Sequence, residues 1–222
     1  MKIESIIFDF DGTLAELCID FAEMKLRLSA LARMFSPSAL PPPFLPVLEW
    51  LAWLEKSLES SNGDRARSFR DQATELIREI ELEAARQGAL FAFTRPMLAA
   101  LRQKSIKTAI ITRNCDAAVR LVFPDISDYC GAFLARDHVV SPKPDPAHLL
   151  GALEAIGADP GTALMIGDHP IDIQTGKAAG ILTAGVCSGN ASRDDLIRSG
   201  ADWVACNCEE LMALLTGEGV IA

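Results

Sequence analysis

Three aspartates carry the chemistry this chain offers most readily. Asp9 and Asp11 stand two residues apart in Asp9-Phe10-Asp11-Gly12-Thr13, and Asp168 stands in Gly167-Asp168-His169-Pro170-Ile171-Asp172. Carboxylates drawn together repel one another unless a cation neutralises them. Hard oxygen ligands with room for water suit magnesium, and a magnesium ion so placed commonly holds a phosphoryl group. Two further residues fit that chemistry. Thr112 supplies a hydroxyl donor, and Lys143, in Ser141-Pro142-Lys143-Pro144-Asp145-Pro146, supplies a compact positive charge. Both suit a phosphoryl group whose charge must be held during transfer. Backbone N–H groups of the Phe10–Gly12 turn would add donors.

Taken singly, each residue has an ordinary explanation. Asp9 and the Asp11-Gly12 pair read as turn residues. Asn114 reads as a helix cap, Asp168 as another, and Asp172 as a first-turn acid. What changes the reading is where they fall. Short, continuous apolar runs at Ile3–Phe8, Lys107–Thr112, Gly131–Ala135, Ala163–Ile166, Leu182–Cys187 and Asp202–Ala205 read as strands buried on both faces. Helical patterns lie among them, at Thr94–Lys104, Asn114–Phe123, Pro146–Ile156, Asp172–Ala179 and Ala191–Ser199. This alternation predicts an α/β fold, a parallel sheet wrapped by helices. In such a sheet, ligands bind beyond the carboxyl ends of the strands. Asp9, Asp11, Thr112 and Asp168 all fall there.

Residues 14–88 break the rhythm. They show no convincing strand and read as helices at Cys18–Phe35, Leu45–Ser60 and Asp64–Gln87, separated by Pro41-Pro42-Pro43 and Asn62-Gly63. The expected organisation is an α/β core of residues 1–13 and 89–222 with an inserted all-helical domain of residues 14–88. On the first inserted helix, Lys25 and Arg27 most simply face water, and Trp50 and Trp53, at helical spacing, are expected in the core of the insert.

The ordered set resembles the haloacid dehalogenase superfamily. Asp9-Phe10-Asp11-Gly12-Thr13 is similar to its first motif, D-x-D-G-T. Thr112 matches the second, Lys143 the third, and Gly167-Asp168-His169-Pro170-Ile171-Asp172 the fourth, G-D-x-x-x-D. A helical insert directly after the first motif resembles the cap of the phosphoglycolate-phosphatase-like branch. The resemblance implies a Rossmann-like core and a phosphatase. Asp9 would be the nucleophile that forms an aspartyl phosphate, and Asp11 the general acid and base. Magnesium would be held by the carboxylates of Asp9 and Asp168 and the backbone carbonyl of Asp11, with Asp172 at or beside the metal. Thr112 and Lys143 would hold the phosphoryl oxygens, and Arg113 and Asn114 join them as phosphate-binding candidates. Two departures stand out: His169 occupies a place where a small residue is common, and Arg113-Asn114 follows Thr112 where a lone Asn is commoner.

The resemblance leaves rivals. The same motifs serve phosphosugar mutases of the β-phosphoglucomutase type, distinguished by product. A non-catalytic regulator on this fold is disfavoured because every motif is present, and C–halogen hydrolysis is disfavoured by Asp11. The substrate expected is a small phosphorylated metabolite, phosphoglycolate by analogy only.

Composition agrees. The chain has 222 residues, 50% of them hydrophobic, and a formal net charge of −9. An acidic chain offers no electrostatic reason to bind nucleic acid or an anionic membrane. No apolar run reaches the roughly 18 residues of a membrane span, and no signal-peptide architecture opens the chain, so a soluble, cytoplasmic protein is expected. Its six scattered cysteines read as reduced thiols, Cys115 as a packed helix residue, and His138 and His148 as structural or exposed. His169 reads as a residue of the pocket wall or one that supports the metal's ligands from behind. The sequence leaves the oligomeric state open.

Overall fold

The computed structural model describes residues 2–36, 45–59 and 63–221; Pro41-Pro42-Pro43, Ser60 and Asn62, which the sequence reading used to bound the inserted helices, lie outside them. In chain order the elements are β1 (Ser5–Phe8), β2 (Ala15–Glu16), α1 (Phe21–Phe35), α2 (Val47–Glu59), α3 (Gly63–Gln87), β3 (Ala89–Leu90), α4 (Thr94–Gln103) and β4 (Lys107–Ile111). They continue with α5 (Asp116–Val122), β5 (Ala132–Leu134), α6 (Pro146–Ala155), β6 (Ala163–Gly167), α7 (Pro170–Ala178), β7 (Leu182–Val186), α8 (Arg193–Arg198), β8 (Trp203–Ala205) and α9 (Cys208–Gly217).

Six strands form a parallel sheet in the order β5-β4-β1-β6-β7-β8. Each strand of its centre is apolar because both faces are covered: Ile6, Ile7 and Phe8 of β1, Ile110 and Ile111 of β4, and Leu164, Met165 and Ile166 of β6 are fully buried. On one face, Ile7, Ala109 and Met165 pack with Leu149, Ala152 and Leu153 of α6. The chain leaves β1 for β4 and β5 on one side and returns to β6 on the other. That reversal opens a crevice at the carboxyl ends of β1, β4 and β6.

The chain folds as two compact units, Met1–Leu17 with Ala85–Ala222, and Cys18–Ala84. Among its described residues the second contains helices and no strand. Its core joins Met24 and Leu28 of α1, Trp50 and Leu54 of α2, and Phe69, Ala73 and Ile77 of α3. Trp50 is buried there, but Trp53 is 40% exposed, so only one of the two tryptophans expected in that core belongs to it. Both lie on one helix, and the pair three residues apart does not share one burial.

Three differences from the sequence reading concern the first unit. The segment after the first motif does contain a strand, the two-residue β2, paired antiparallel with β3. It is too short for a hydrophobic period. A further helix, α9, follows β8 and is capped by Asn207, whose side chain accepts from the Glu210 N–H. Helix α5 starts at Asp116, not at Asn114. Its N-cap is Cys115, in extended backbone with no side-chain cap bond, and the Asn114 N–H turns back to Thr112 Oγ1 instead (3.1 Å).

Candidate active site

The site is built at the carboxyl ends of the three central strands. Asp9 follows β1 directly, and its N–H donates to Ile166 O of β6 (2.8 Å), which continues the ladder one residue past the strand. The next residues fold into a tight turn. The N–H groups of Thr13, Leu14 and Ala15 converge on the Phe10 carbonyl, and Gly12 sits at φ +77°, where a side chain would be strained. The Gly12 N–H is spent within this turn on Ala15 O (2.8 Å) and is not a free donor. Asp11 is held by the same turn, its Oδ1 accepting from the Leu17 N–H (2.9 Å).

Asp168 follows β6, and α7 begins two residues later. His169 is the N-cap of α7: its Nδ1 accepts from the Ile171 N–H, and Asp172 Oδ2 reaches back to the His169 N–H (3.1 Å). Capping is therefore the work of His169, and Asp168 is left to face the crevice. The first turn of α7 carries Asp172 back against Asp168. Asp9, Asp168 and Asp172 each offer a carboxylate oxygen, all within 4.8 Å of one another and all buried.

Lys143 enters this cluster from the loop before α6, only 2% exposed. Its Nζ donates to Asp9 Oδ1 (2.5 Å) and to Asp172 Oδ1 (2.6 Å). The peptide between Lys143 and Pro144 is cis. Thr112, at the end of β4, is buried, and its hydroxyl accepts from Asn114 N–H. Asn114 Nδ2 is buried with no hydrogen-bond partner among the described residues, a donor left for something else. Arg113 points elsewhere: its Nη1 donates to the Lys143 carbonyl (2.9 Å).

Three carboxylates thus share the space with one ammonium. Burial lifts Asp9 to about 6 even though Lys143 pulls the other way. Asp168 is lifted well above the usual carboxylate range, first by burial and then by the charges of Asp9, Asp172 and Asp11. Burial works to lower Lys143, but the charges of Asp172 and Asp9 outweigh it and hold its pKa above the ordinary value. Lys143 alone does not neutralise the cluster, so the site favours a further cation. The donors are all oxygens, as a hard divalent ion requires.

The backbone is shaped to those carboxylates. A Cβ on Gly189 would stand 1.8 Å from Asp168 Oδ2, and one on Gly12 2.5 Å from the same atom. A Cβ on Gly167 would stand 2.3 Å from the Asp172 carboxylate. The loop after β7 closes the arrangement: Asn190 N–H donates to Asp168 Oδ2 (3.2 Å), and the Ser188 hydroxyl donates to Gly12 O (2.7 Å).

This architecture has known counterparts. The family of haloacid dehalogenase-like hydrolases matches residues 3–180. The chain belongs to that family. Among curated relatives it is 30% identical to a phosphoglycolate phosphatase of Neisseria meningitidis, over 94% of this chain and 92% of the other. It is 28% identical to an N-acetylmuramic acid 6-phosphate phosphatase of Pseudomonas aeruginosa, over 97% and 96%. Among solved structures, a hydrolase from Pseudomonas syringae superposes with a TM-score of 0.69 at 22% identity, covering 96% and 98% of the two chains, which bears on the fold. The protein is an enzyme, a haloacid dehalogenase-like phosphatase.

Two parts of the site had no voice in the motifs. The Ser188–Asn190 loop contributes a hydroxyl, a backbone N–H and a missing side chain, and Gly189 carried the one signal, a glycine just past a buried strand. His148, read as structural or exposed, is fully buried and hydrogen-bonded to Lys143. Its signal was a histidine five residues after the motif lysine, on an otherwise apolar helix. Cys115 is buried at the start of α5. Cys208 is buried too, with its thiol donating to Thr13 O (3.4 Å), and burial followed by the Asp168 and Asp9 charges pushes its pKa far up, so it stays a neutral thiol.

Proposed function

We propose that this phosphatase hydrolyses a small phosphate monoester through an aspartyl phosphate on Asp9, with magnesium as its cofactor. The observation that supports this best is the seating of Lys143 between Asp9 and Asp172 inside a buried, under-neutralised set of carboxylates. A buried lysine at hydrogen-bonding distance from a nucleophile is placed to hold the oxygens of the group that nucleophile attacks.

Magnesium would be held by Asp9, Asp168 and Asp172, with the Asp11 backbone carbonyl as the remaining protein ligand, and it would supply charge neutralisation and orientation for the phosphoryl group. The chain's own residues do the rest. Asp9 attacks phosphorus, forming the O–P bond of the aspartyl phosphate as the ester P–O bond breaks. Asp11 donates a proton to the leaving oxygen. It then takes a proton from water, whose oxygen attacks phosphorus and displaces the Asp9 carboxylate, so that inorganic phosphate leaves. Lys143 and the Thr112 hydroxyl hold the phosphoryl oxygens, with the unpartnered Asn114 amide as a further donor. Arg113, first grouped with these, is better placed to steady Lys143 through its carbonyl.

The relatives' names put phosphoglycolate and N-acetylmuramic acid 6-phosphate first among candidate substrates. Residues 14–88 are proposed as the substrate-selecting cap, and residues 1–13 with 89–222 as the catalytic domain. No helix among the described residues is long and apolar enough to cross a membrane, in keeping with a small dissolved substrate and a cytoplasmic enzyme. The test is a phosphate-release screen over small monoesters with magnesium and with excess chelator. Release that requires the metal supports the reading; undiminished release in chelator contradicts it.

A further inference from the structure

His148 is the third residue of α6, fully buried, and absent from every role assigned above. Its two ring nitrogens are both engaged. Lys143 N–H, which can only donate, points at Nδ1 (3.1 Å). Nδ1 is therefore the acceptor and the ring proton sits on Nε2, aimed at Leu134 O (3.0 Å). Burial, with the Lys143 charge beside it, keeps the ring neutral, and neutrality is what this pair of bonds requires.

The Leu134 carbonyl has a second donor. It also receives the Thr112 N–H (3.1 Å) where β5 runs beside β4. One imidazole thus links the peptide that presents Thr112 to the peptide that presents Lys143. On its other side the Lys143 peptide is held by Arg113 Nη1 on its carbonyl (2.9 Å), and Arg113's own carbonyl accepts from Arg136 Nη1 (2.7 Å). Lys143 is pinned by side chains at both its N–H and its C=O. A long side chain that must put Nζ 2.5 Å from Asp9 and 2.6 Å from Asp172 gains precision from such a fixed base.

We propose that His148 is a positioning residue for phosphoryl transfer: its Nδ1 fixes the Lys143 backbone, while its Nε2–H on Leu134 O serves to orient the ring. The inference rests on the reading of Lys143 as the residue that holds the phosphoryl group. An asparagine side chain can place an acceptor near the Nδ1 position, and a glutamine side chain can place a donor near Nε2. The two bonds can therefore be removed separately.

The experiment measures single-turnover release of p-nitrophenolate from p-nitrophenyl phosphate, with magnesium, over a range of substrate concentrations. It compares wild type, His148→Asn, His148→Gln and His148→Phe, alone and with Lys143→Ala, and records thermal unfolding for each. Misplacement of a reacting group by about 1 Å costs on the order of 100-fold. His148→Phe should therefore lower kcat/KM by about 100-fold, and His148→Asn should restore most of it while His148→Gln does not. In the Lys143→Ala background His148→Phe should add little, because the residue acts through Lys143. Equal activity of the Asn and Gln variants, or a full His148→Phe loss on top of Lys143→Ala, would overturn the proposal. If His148→Phe does not fold, the Asn and Gln pair decides alone. Where p-nitrophenyl phosphate is not turned over, the ester is one that the wild type hydrolyses in the screen above; a wild type that hydrolyses none of them overturns the proposed reaction and this inference with it, whereas an active wild type with additive losses overturns this inference only.

Discussion

Gly189→Ala adds one methyl group, and the structure says where it must go. The new Cβ would stand 1.8 Å from Asp168 Oδ2, 2.4 Å from Cγ and 2.8 Å from Cβ. Ordinary carbon contacts lie at about 3.5 Å, so Oδ2 has to retreat by roughly 1.5 Å. Rotation of the carboxylate does not suffice, because the Asp168 Cβ is itself too close. The retreat breaks the bond from Asn190 N–H and opens the cluster of Asp9, Asp168 and Asp172. Overpacking of this kind costs about 1–3 kcal/mol of stability. Function should suffer more: a displacement of about 1 Å is worth on the order of 100-fold in rate. The assay is kcat/KM for phosphate release across a magnesium titration, with thermal unfolding alongside. Gly189→Ala should remain folded, lose about 100-fold or more in kcat/KM, and need more magnesium. Gly217→Ala, at the end of α9 with nothing within 4 Å of the added atom, is the control and should behave as wild type. A Gly189→Ala enzyme with wild-type kcat/KM and magnesium midpoint would refute the placement of Asp168 at the working centre.

Asp11→Asn should slow the first step far more with an alkyl phosphate than with p-nitrophenyl phosphate, whose leaving group needs no proton. The gap in single-turnover rates should be about 10²–10⁴-fold, and equal losses would remove Asp11 as the general acid. Calcium accepts bidentate carboxylates, so it should bind at the Asp9 cluster and inhibit; full turnover in calcium alone would contradict that. The low folded-state pKa of His148, about 4 against 6.5, gives a stability contribution present above pH 6.5 and lost as pH falls towards 4. At about 1.4 kcal/mol for each tenfold change that is about 3 kcal/mol. Denaturant unfolding should therefore show wild type losing about that much relative to His148→Gln between neutral pH and pH 4, and a difference independent of pH would show that the ring is not held neutral.

Much of this fold could be read from residue order. The runs around Ile6, Ile110 and Ile166 are apolar without alternation because both faces of the sheet are covered, and that burial is written into the residues themselves. Asp9, Thr112 and Asp168 were legible because each interrupts such a run at its end. What could not be read is what long-range geometry makes. Strands β2 and β3 are two residues each, below any period. Asn114 looks like a cap, yet its N–H is drawn back to Thr112 and Cys115 takes the place. Arg113 carries the charge of a phosphate ligand, but its guanidinium lies on the Lys143 carbonyl, a partner 30 residues away. His148 lies on an apolar helix face, where a histidine reads as core; only its two bonds, to Lys143 and Leu134, show it beside the site. Neither bond has a signature in spacing.

The proposed reaction makes Asp9 the atom donor to phosphorus, and that can be observed as a covalent species. The enzyme is mixed with p-nitrophenyl phosphate and magnesium, quenched within the first turnover, and treated with borohydride, which reduces an acyl phosphate to an alcohol. Peptide mass spectrometry of the segment containing residues 9 and 11 then reads the position. Homoserine at position 9, absent without substrate and absent in Asp9→Asn, is the predicted result. Homoserine at position 11, or phosphate release with no reducible acyl phosphate in the chain, would contradict it.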